Sequence, residues 1–501
     1  MGTIKYPLTN EQMYTVLQHK NSVDVTTEKA AIGYVRARKR LDLATEALQT
    51  ARKHQQKAKE LEDQHKAVSI EQINSWMPEQ SLSAATMVLH SVPLKQVDQD
   101  PSKRSILQYR MFNVVLAGTV SPSNQMYSGR CWMFSGLNIF KRSLILSGAL
   151  RPDFEFSQSY LFFWHYFEQY NSMMNLFHYS KDIGPAERVD LLSKPLHDGG
   201  NWINFKRLVS KYGIIPKSMY RESWPSSHSS EMNQILCDLL QNDIANAPED
   251  DTEFTQYRDA RLKTILNILC SCMGKPPMGK FTSTLQNLRN QTIKIESTPI
   301  DLFNQLNANY NIEKQVNVIH DPRNKDMEWF TTNRQEQRAI PSLMFNVVDM
   351  SLICEMVLKS IQRGQGVWFA CNMNEDVSSS LQGMAKGLYR PGDFLPGENH
   401  LDMDKVNRMR WGRAKCNHAM LIVGVEAEKI PETEKTICKS FNIENSWGAE
   451  GPGKGFYKMT ADWFHEHVYE VVIHQDILLD MQLDISNQTE PTVLPYYDFF
   501  G

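Results

Sequence analysis

Apolar positions recur at three- and four-residue steps through the first half of this chain and change to short continuous runs in its C-terminal part. The first spacing is that of helices and the second that of buried strands. From Thr27 to about Lys66 the residues are mostly good helix formers. Leu41, Ala44, Leu48, Ala51 and Ala58 draw a thin apolar stripe, interrupted by Gln55. That predicts a solvated or partly docked helix, with a self-association coil as the alternative. A second amphipathic helix is predicted over 69–92, broken at Pro78, followed by a polar loop from Gln96 to Lys103. The apolar run from Trp132 to Leu150 and the aromatic run from Phe154 to Tyr170 predict two core helices. A third ends at Lys211-Tyr212-Gly213, with Gly213 as its C-cap.

Residues about 220–295 read as mostly helical, over Glu231–Asn246 and Thr252–Met273, and Ser297-Thr298-Pro299 opens a short capped helix. Two strand-like runs, Ser342–Val348 and Gly366–Cys371, flank a helix over Leu352–Gln362, and a loop-rich stretch spans 376–415. Strands are then predicted at Ala419–Val425, Ile437–Glu444, Phe456–Met459 and Val471–Leu479, with a short helix over 461–468. A polar linker, Ser486–Glu490, leads to an apolar tail ending at Gly501. Helices gathered before strands make the fold class α+β.

Composition narrows the function more than the fold. The net charge of −3 gives no global electrostatic case for a nucleic-acid or membrane partner. The short basic cluster Arg36-Ala37-Arg38-Lys39-Arg40 leaves a weakly supported nucleic-acid reading, set against a solvated helix face. No apolar run approaches the roughly 20 residues that span a bilayer, and residues 1–20 lack a secretory h-region. The cysteines (Cys131, Cys237, Cys270, Cys272, Cys354, Cys371, Cys416 and Cys438) are scattered through the chain. That reads as reduced thiols in a cytoplasmic protein. Cys270-Ser271-Cys272 has the wrong spacing for a zinc site, so neither metal nor cofactor is expected.

The chemistry gathers around Gln125-Met126-Tyr127-Ser128-Gly129-Arg130-Cys131-Trp132. A turn running into a helix places Cys131 at the positive end of the dipole, where thiolate is favoured. By itself a cysteine there is more readily a buried structural thiol opening a core helix. Gln125, six residues upstream, could supply a side-chain N–H to an oxyanion hole shared with the Cys131 backbone. A thiolate catalyst also needs a base and a group that orients it. Asn417-His418-Ala419-Met420 puts a histidine at the mouth of a strand, and Asn445-Ser446-Trp447-Gly448 closes the next one. Antiparallel pairing of those strands would set Asn445 beside His418, with Trp447 shielding the bond between them.

These linked motifs resemble the papain-like cysteine peptidases, and more closely the bleomycin hydrolase / aminopeptidase C branch. Secreted papain-type enzymes carry a disulfide-bonded Cys three residues before the nucleophile; here that place is Ser128. Cys131 and His418 stand about 290 residues apart, against roughly 130–150 in papain-type chains, an excess similar to the helical insertions of that branch. Asp198-Gly199-Gly200, Lys211-Tyr212-Gly213, Ser297-Thr298-Pro299 and Asp321-Pro322-Arg323 resemble segments of the same branch. The resemblance implies a papain-like fold with a helical half, an antiparallel β half and large helical insertions. It implies Cys131 as nucleophile, His418 as acid/base, Asn445 as orienter, Gln125 as oxyanion donor, and Gly199 and Gly200 as substrate-backbone contacts.

It further implies a homohexamer acting on peptide substrates as an aminopeptidase, with bleomycin-like amides as a further substrate class. The domain expectation is a helical extension over 1–68, a peptidase body over 69–485 with an insertion at about 220–295, and a C-terminal arm over 486–501 reaching toward the cleft. In that branch the terminal carboxylate of the arm selects a free α-amine. Tyr497, Phe499 and Phe500 stand where the branch usually has Trp and Pro-Met, and the arm here is shorter. An endopeptidase therefore stays open as an alternative, as does a hexameric nucleic-acid-binding scaffold, which the charge balance disfavours.

Overall fold

A computed structural model gives the fold of the chain. It describes residues 99–500 except 119, 181–182, 333–341, 391–402, 432–434, 487–489 and 496–497. Before residue 99 it describes only 45, 49, 52–57, 59, 68–77 and 91. Contacts divide the chain into two units, Met1–Ala84 and Ala85–Gly501. In the first, residues 52–57 are helical and α1 spans Ile70–Trp76. Its start is a reciprocal capping box between Ser69 and Gln72. The rest of the long amphipathic stretch, the basic cluster and Pro78 lie outside the described residues.

In the second unit α2 (Pro101–Gln108) begins inside the stretch expected to be a loop. Asp100 Oδ1 accepts the Ser102 N–H at 2.8 Å, and Pro101 takes the first helical position, where no N–H is needed. The nucleophile helix α3 runs Cys131–Leu146, and nearly its whole surface is buried. Around it pack α4 (Gln158–Tyr179), capped by the Ser157 hydroxyl, and α5 (Trp202–Tyr212), capped by Asn201. Gly213 ends α5 at φ 72°, and a Cβ there would sit 2.1 Å from the Pro299 carbonyl, so only glycine fits. Helices α6 (Ser230–Ala245) and α7 (Asp251–Met273) form the insertion. Its end departs from expectation. A hairpin of β2 (Phe281–Gln286) and β3 (Thr292–Ser297) replaces helix there. Phe281, Ser283 and Leu285 alternate with exposed residues at the period of a strand. Thr298 then caps α8 (Pro299–Tyr310).

The other half is one mixed sheet. Its strands are β1 (Val114–Val115), β4 (Gln315–Ile319), β5 (Trp329–Thr332), β6 (Met344–Asn346), β7 (Val367–Cys371), β8 (Val377–Ser378), β9 (Gly383–Met384), β10 (His418–Lys429), β11 (Thr436–Glu444), β12 (Phe456–Thr460), β13 (Val468–His474) and β14 (Thr492–Leu494). The order is β14-β5-β6-β4-β13-β7-β10-β11-β12-β9-β8, with β1 added on β10. Helix α9 (Met350–Gln362) packs on β10 and β11. Helices α10 (Lys405–Arg410) and α11 (Ala461–His467) precede β10 and β13. The strand expected to run to Leu479 stops at His474, whose ring accepts the Asp476 N–H and caps α12 (Gln475–Asp480).

Of the C-terminal tail, β14 pairs in parallel with β5. Asp498 binds Arg323 at 2.9 Å, Arg323 is also held by Asp321, and Phe499 packs on Tyr469. Tyr496, Tyr497 and Gly501 lie outside the described residues.

One buried ion pair joins the two halves where it matters for the site. Arg142 of α3 meets Glu444, the last residue of β11, at 2.6 Å, and Asn138 donates to the other oxygen at 3.0 Å. Glu444 is 1% exposed. Removing one partner leaves an uncompensated buried charge, so Arg142→Met is expected to lose roughly 3–5 kcal/mol. The double variant Arg142→Met/Glu444→Leu is expected to lose much less than the two single changes together. Urea unfolding of the three variants checks this; strict additivity would show that the pair does not couple the halves.

Candidate active site

Cys131 is the first residue of α3, and no side chain caps that helix start. Its leading N–H groups are therefore turned toward the sulfur and whatever approaches it. Sγ accepts the backbone N–H of Ala419, the residue after His418, at 3.4 Å. A contact between residues almost 300 positions apart thus sets the thiol against the start of β10. Ser135, one turn along α3, donates to the Ala419 carbonyl at 3.0 Å and fixes the helix to the same strand.

His418 Nε2 lies 2.9 Å from Asn445 Oδ1. An amide oxygen only accepts, so Nε2 carries the proton and Nδ1 is left as the base. Asn445 Oδ1 is itself aimed by the Ser446 N–H at 2.8 Å. The Trp447 ring lies 4.9 Å from the imidazole, tilted by 35°, and covers the pair. Antiparallel pairing of β10 with β11 brings these residues together, with Leu421 opposite Glu444.

Gln125 is stitched to the same loop. Its N–H donates to the Ser446 carbonyl at 2.8 Å, and Gly448 donates back to Ser123. The Ser446 hydroxyl donates to Gln125 Oε1, and Gln125 Nε2 donates to the Ser128 carbonyl at 2.6 Å. The amide has two N–H bonds, so a second remains for an oxyanion. Cys131, His418, Asn445 and Gln125 thus converge.

Several contributors were not singled out from sequence. Asp198 accepts the Gly129 N–H at 2.6 Å, and its carbonyl accepts the Trp132 indole N–H at 3.0 Å. It ties the nucleophile turn to the glycine turn. Arg130, fully buried, is paired with Glu222 at 3.0 Å and donates to Ser128 Oγ at 2.8 Å. The signal for these roles was only their adjacency to the motifs. Gly200 has a packing reason of its own: a Cβ would lie 2.6 Å from the Trp132 ring. The Gly199 carbonyl accepts from His165 at 3.1 Å.

Burial dominates the electrostatics. It pushes the Cys131 thiol up to about 11, against the N–H groups of Ala419, Trp132 and Cys131, which favour thiolate. It pushes His418 down to about 4, against the Asn445 bond. Neither charge is stable alone here. Among the described residues no group of three or more His, Cys, Asp or Glu is placed to hold a metal ion, and no helix is long and apolar enough to cross a membrane.

The model of the peptidase C1-like family matches residues 67–501. Aminopeptidase C of Lactococcus lactis subsp. cremoris is 30% identical over 397 residues, covering 76% of this chain and 86% of that protein. Mouse bleomycin hydrolase is 31% identical over 400 residues, covering 76% and 85%. The crystal structure of PepW from Lactobacillus rhamnosis HN001 superposes with a TM-score of 0.76 at 24% identity, covering 86% of this chain and 98% of that one. That likeness shows the papain-like α+β fold.

Two outcomes follow from the geometry. Gln125→Ala is expected to lower kcat by about 10²–10³ with KM little changed, as for the loss of one oxyanion donor. Steady-state kinetics checks this; a pure KM effect would assign Gln125 to substrate binding. In His418→Gln the thiolate loses its cation while its burial remains. Each pH unit below the thiol pKa removes tenfold in thiolate, so alkylation of Cys131 at neutral pH should slow by about a hundredfold or more. The rate should rise with pH toward about 11. A flat profile equal to wild type would mean that His418 does not govern the thiol.

Proposed function

The chain belongs to the peptidase C1-like family, as a cysteine peptidase of its aminopeptidase C and bleomycin hydrolase branch, and from that membership we propose that it removes N-terminal residues from peptides through an acyl-enzyme on Cys131. The observation that carries this reading is the convergence of the sulfur, the His418–Asn445 pair and Gln125 across two halves of the fold. The Cys131 proton passes to His418 Nδ1 as the thiolate attacks the scissile carbonyl. The oxyanion receives the Cys131 backbone N–H and the second Nε2–H of Gln125. Collapse expels the amine, which takes the proton from His418, and leaves a thioester. Water then attacks the thioester, gives its proton to His418, and restores the thiol.

Gly199 and Gly200 are our candidates for holding the substrate backbone, beside the turn that Asp198 anchors. The C-terminal arm, held by β14 on β5 and by the Asp498–Arg323 bond, is the candidate gate that reads the α-amine. A homohexamer in a reducing cytoplasmic setting fits this reading, with free thiols throughout the described chain. Hydrolysis of bleomycin-like amides is a second use of the same triad, favoured by the relatives that carry that name.

The test is one peptide sequence offered with a free and with an acetylated N-terminus, each with and without a thiol alkylator. Cleavage of the free form alone, abolished by alkylation and absent in Cys131→Ala, is the expected result. Equal cleavage of both forms would make the protein an endopeptidase, and undiminished cleavage by Cys131→Ala would overturn the thiol mechanism.

A further inference from the structure

Three elements remote in sequence bring together a second sulfur centre that the peptidase chemistry does not use. Cys354 comes from α9, Cys438 from β11 and His465 from α11. Cys354 Sγ lies 3.4 Å from His465 Nε2. The Cys438 thiol donates to the Cys354 carbonyl at 3.5 Å, and the two side chains influence each other's titration. The cysteines are free. That contact sets the Cys438 sulfur against the backbone of Cys354.

The two thiols are not equivalent. Cys354 is 5% exposed, while Cys438 is half-buried at the edge of its strand. The hydrogen bond from the Cys354 side chain holds Cys438 below the ordinary thiol range, against the effect of burial. The same bond, with burial, pushes Cys354 up. His465 is exposed, and burial with the Lys405 charge holds its ring below the usual imidazole range, while the Cys354 sulfur lies against its Nε2. A half-buried thiol, a sheltered second thiol and an imidazole in contact with it are the parts of a redox dithiol.

We propose that Cys354 and Cys438 form a peroxide-responsive dithiol, separate from Cys131, that closes to an intramolecular disulfide with His465 as proton acceptor. Cys438 gives up its proton, which ends on the hydroxide that is released, and its sulfur attacks one oxygen of hydrogen peroxide. The O–O bond breaks, giving a sulfenic acid at Cys438 and hydroxide. Cys354 then attacks the sulfenic sulfur, its proton passing to His465, and the sulfenic oxygen leaves as water once it has been protonated. In sum two thiols and one peroxide give one disulfide and two waters. The sulfurs lose two electrons and the peroxide gains them. The bond would tie α9 to β11, the strand that ends beside Asn445.

The experiment uses the full chain carrying Cys131→Ala, so that the nucleophile cannot consume the oxidant. It is treated with stoichiometric hydrogen peroxide, alkylated, digested and read by mass spectrometry. The expected result is one linked peptide pair, Cys354 to Cys438, lighter than its parts by two hydrogens and separated by dithiothreitol. In Cys438→Ser the link should vanish, and in His465→Gln it should form several-fold more slowly while protein mass and thermal unfolding stay normal. Recovery of both cysteines as separately alkylated peptides, at peroxide levels that oxidise the exposed Cys416, would overturn the proposal. So would a Cys438 link to any other cysteine, or an unchanged rate in His465→Gln together with an unchanged rate in a second base-removing variant, His465→Phe.

Discussion

The site depends on a buried charge pair that joins the two halves of the fold. Arg142 and Glu444 are buried between the nucleophile helix and the strand that delivers Asn445, and Asn138 completes the shell around the carboxylate. Water is excluded, so the pair holds only in one arrangement of helix and strand. In that arrangement the Ala419 N–H meets the sulfur, Asn445 meets His418, and the Ser446 hydroxyl reaches Gln125. Catalytic geometry of this kind tolerates little slack, because a misplacement of an ångström removes much of the benefit of orientation. A buried ion pair supplies that stiffness better than apolar packing alone, which admits small slides between faces.

Much of this was legible in the chain. The Cys131 run, the His418 strand and Asn445-Ser446-Trp447-Gly448 carry strong local patterns, and the helix caps at Asn201, Gly213 and Thr298 are written in single residues. What escaped was of two physical kinds. Some elements hide their type. Gln315 and Asn317 are polar yet buried in β4, which masks that strand, and the β2–β3 hairpin sits in a polar stretch behind two long helices. Asp100-Pro101 reads as a turn until the side-chain cap is seen to open a helix. Other roles exist only through distant contacts: Asp198 on the nucleophile turn, Glu222 on Arg130, Ser446 on Gln125. No local periodicity announces a hydrogen bond across hundreds of residues.

The electrostatic character of the site follows from the same closeness. Donors to the sulfur are backbone groups, fixed by the helix and by β10, so they need no rearrangement when charge appears. Burial opposes each charge singly, which keeps the resting site quiet. The Trp447 ring over the imidazole and the Trp132 ring against Gly200 line it with apolar surface.

The place of β10 in the sheet has a bearing on how the protein is made. Its neighbours β7 and β11 lie on either side of it in the chain, and β7 is completed in turn by β13, which ends at His474. The nucleophile emerges from the ribosome early. The base, its orienter and the strands that seat them are all translated hundreds of residues later, and such distant pairings form late in folding. A chain interrupted before Ala419 therefore carries the Cys131 thiol without the strand that seats it.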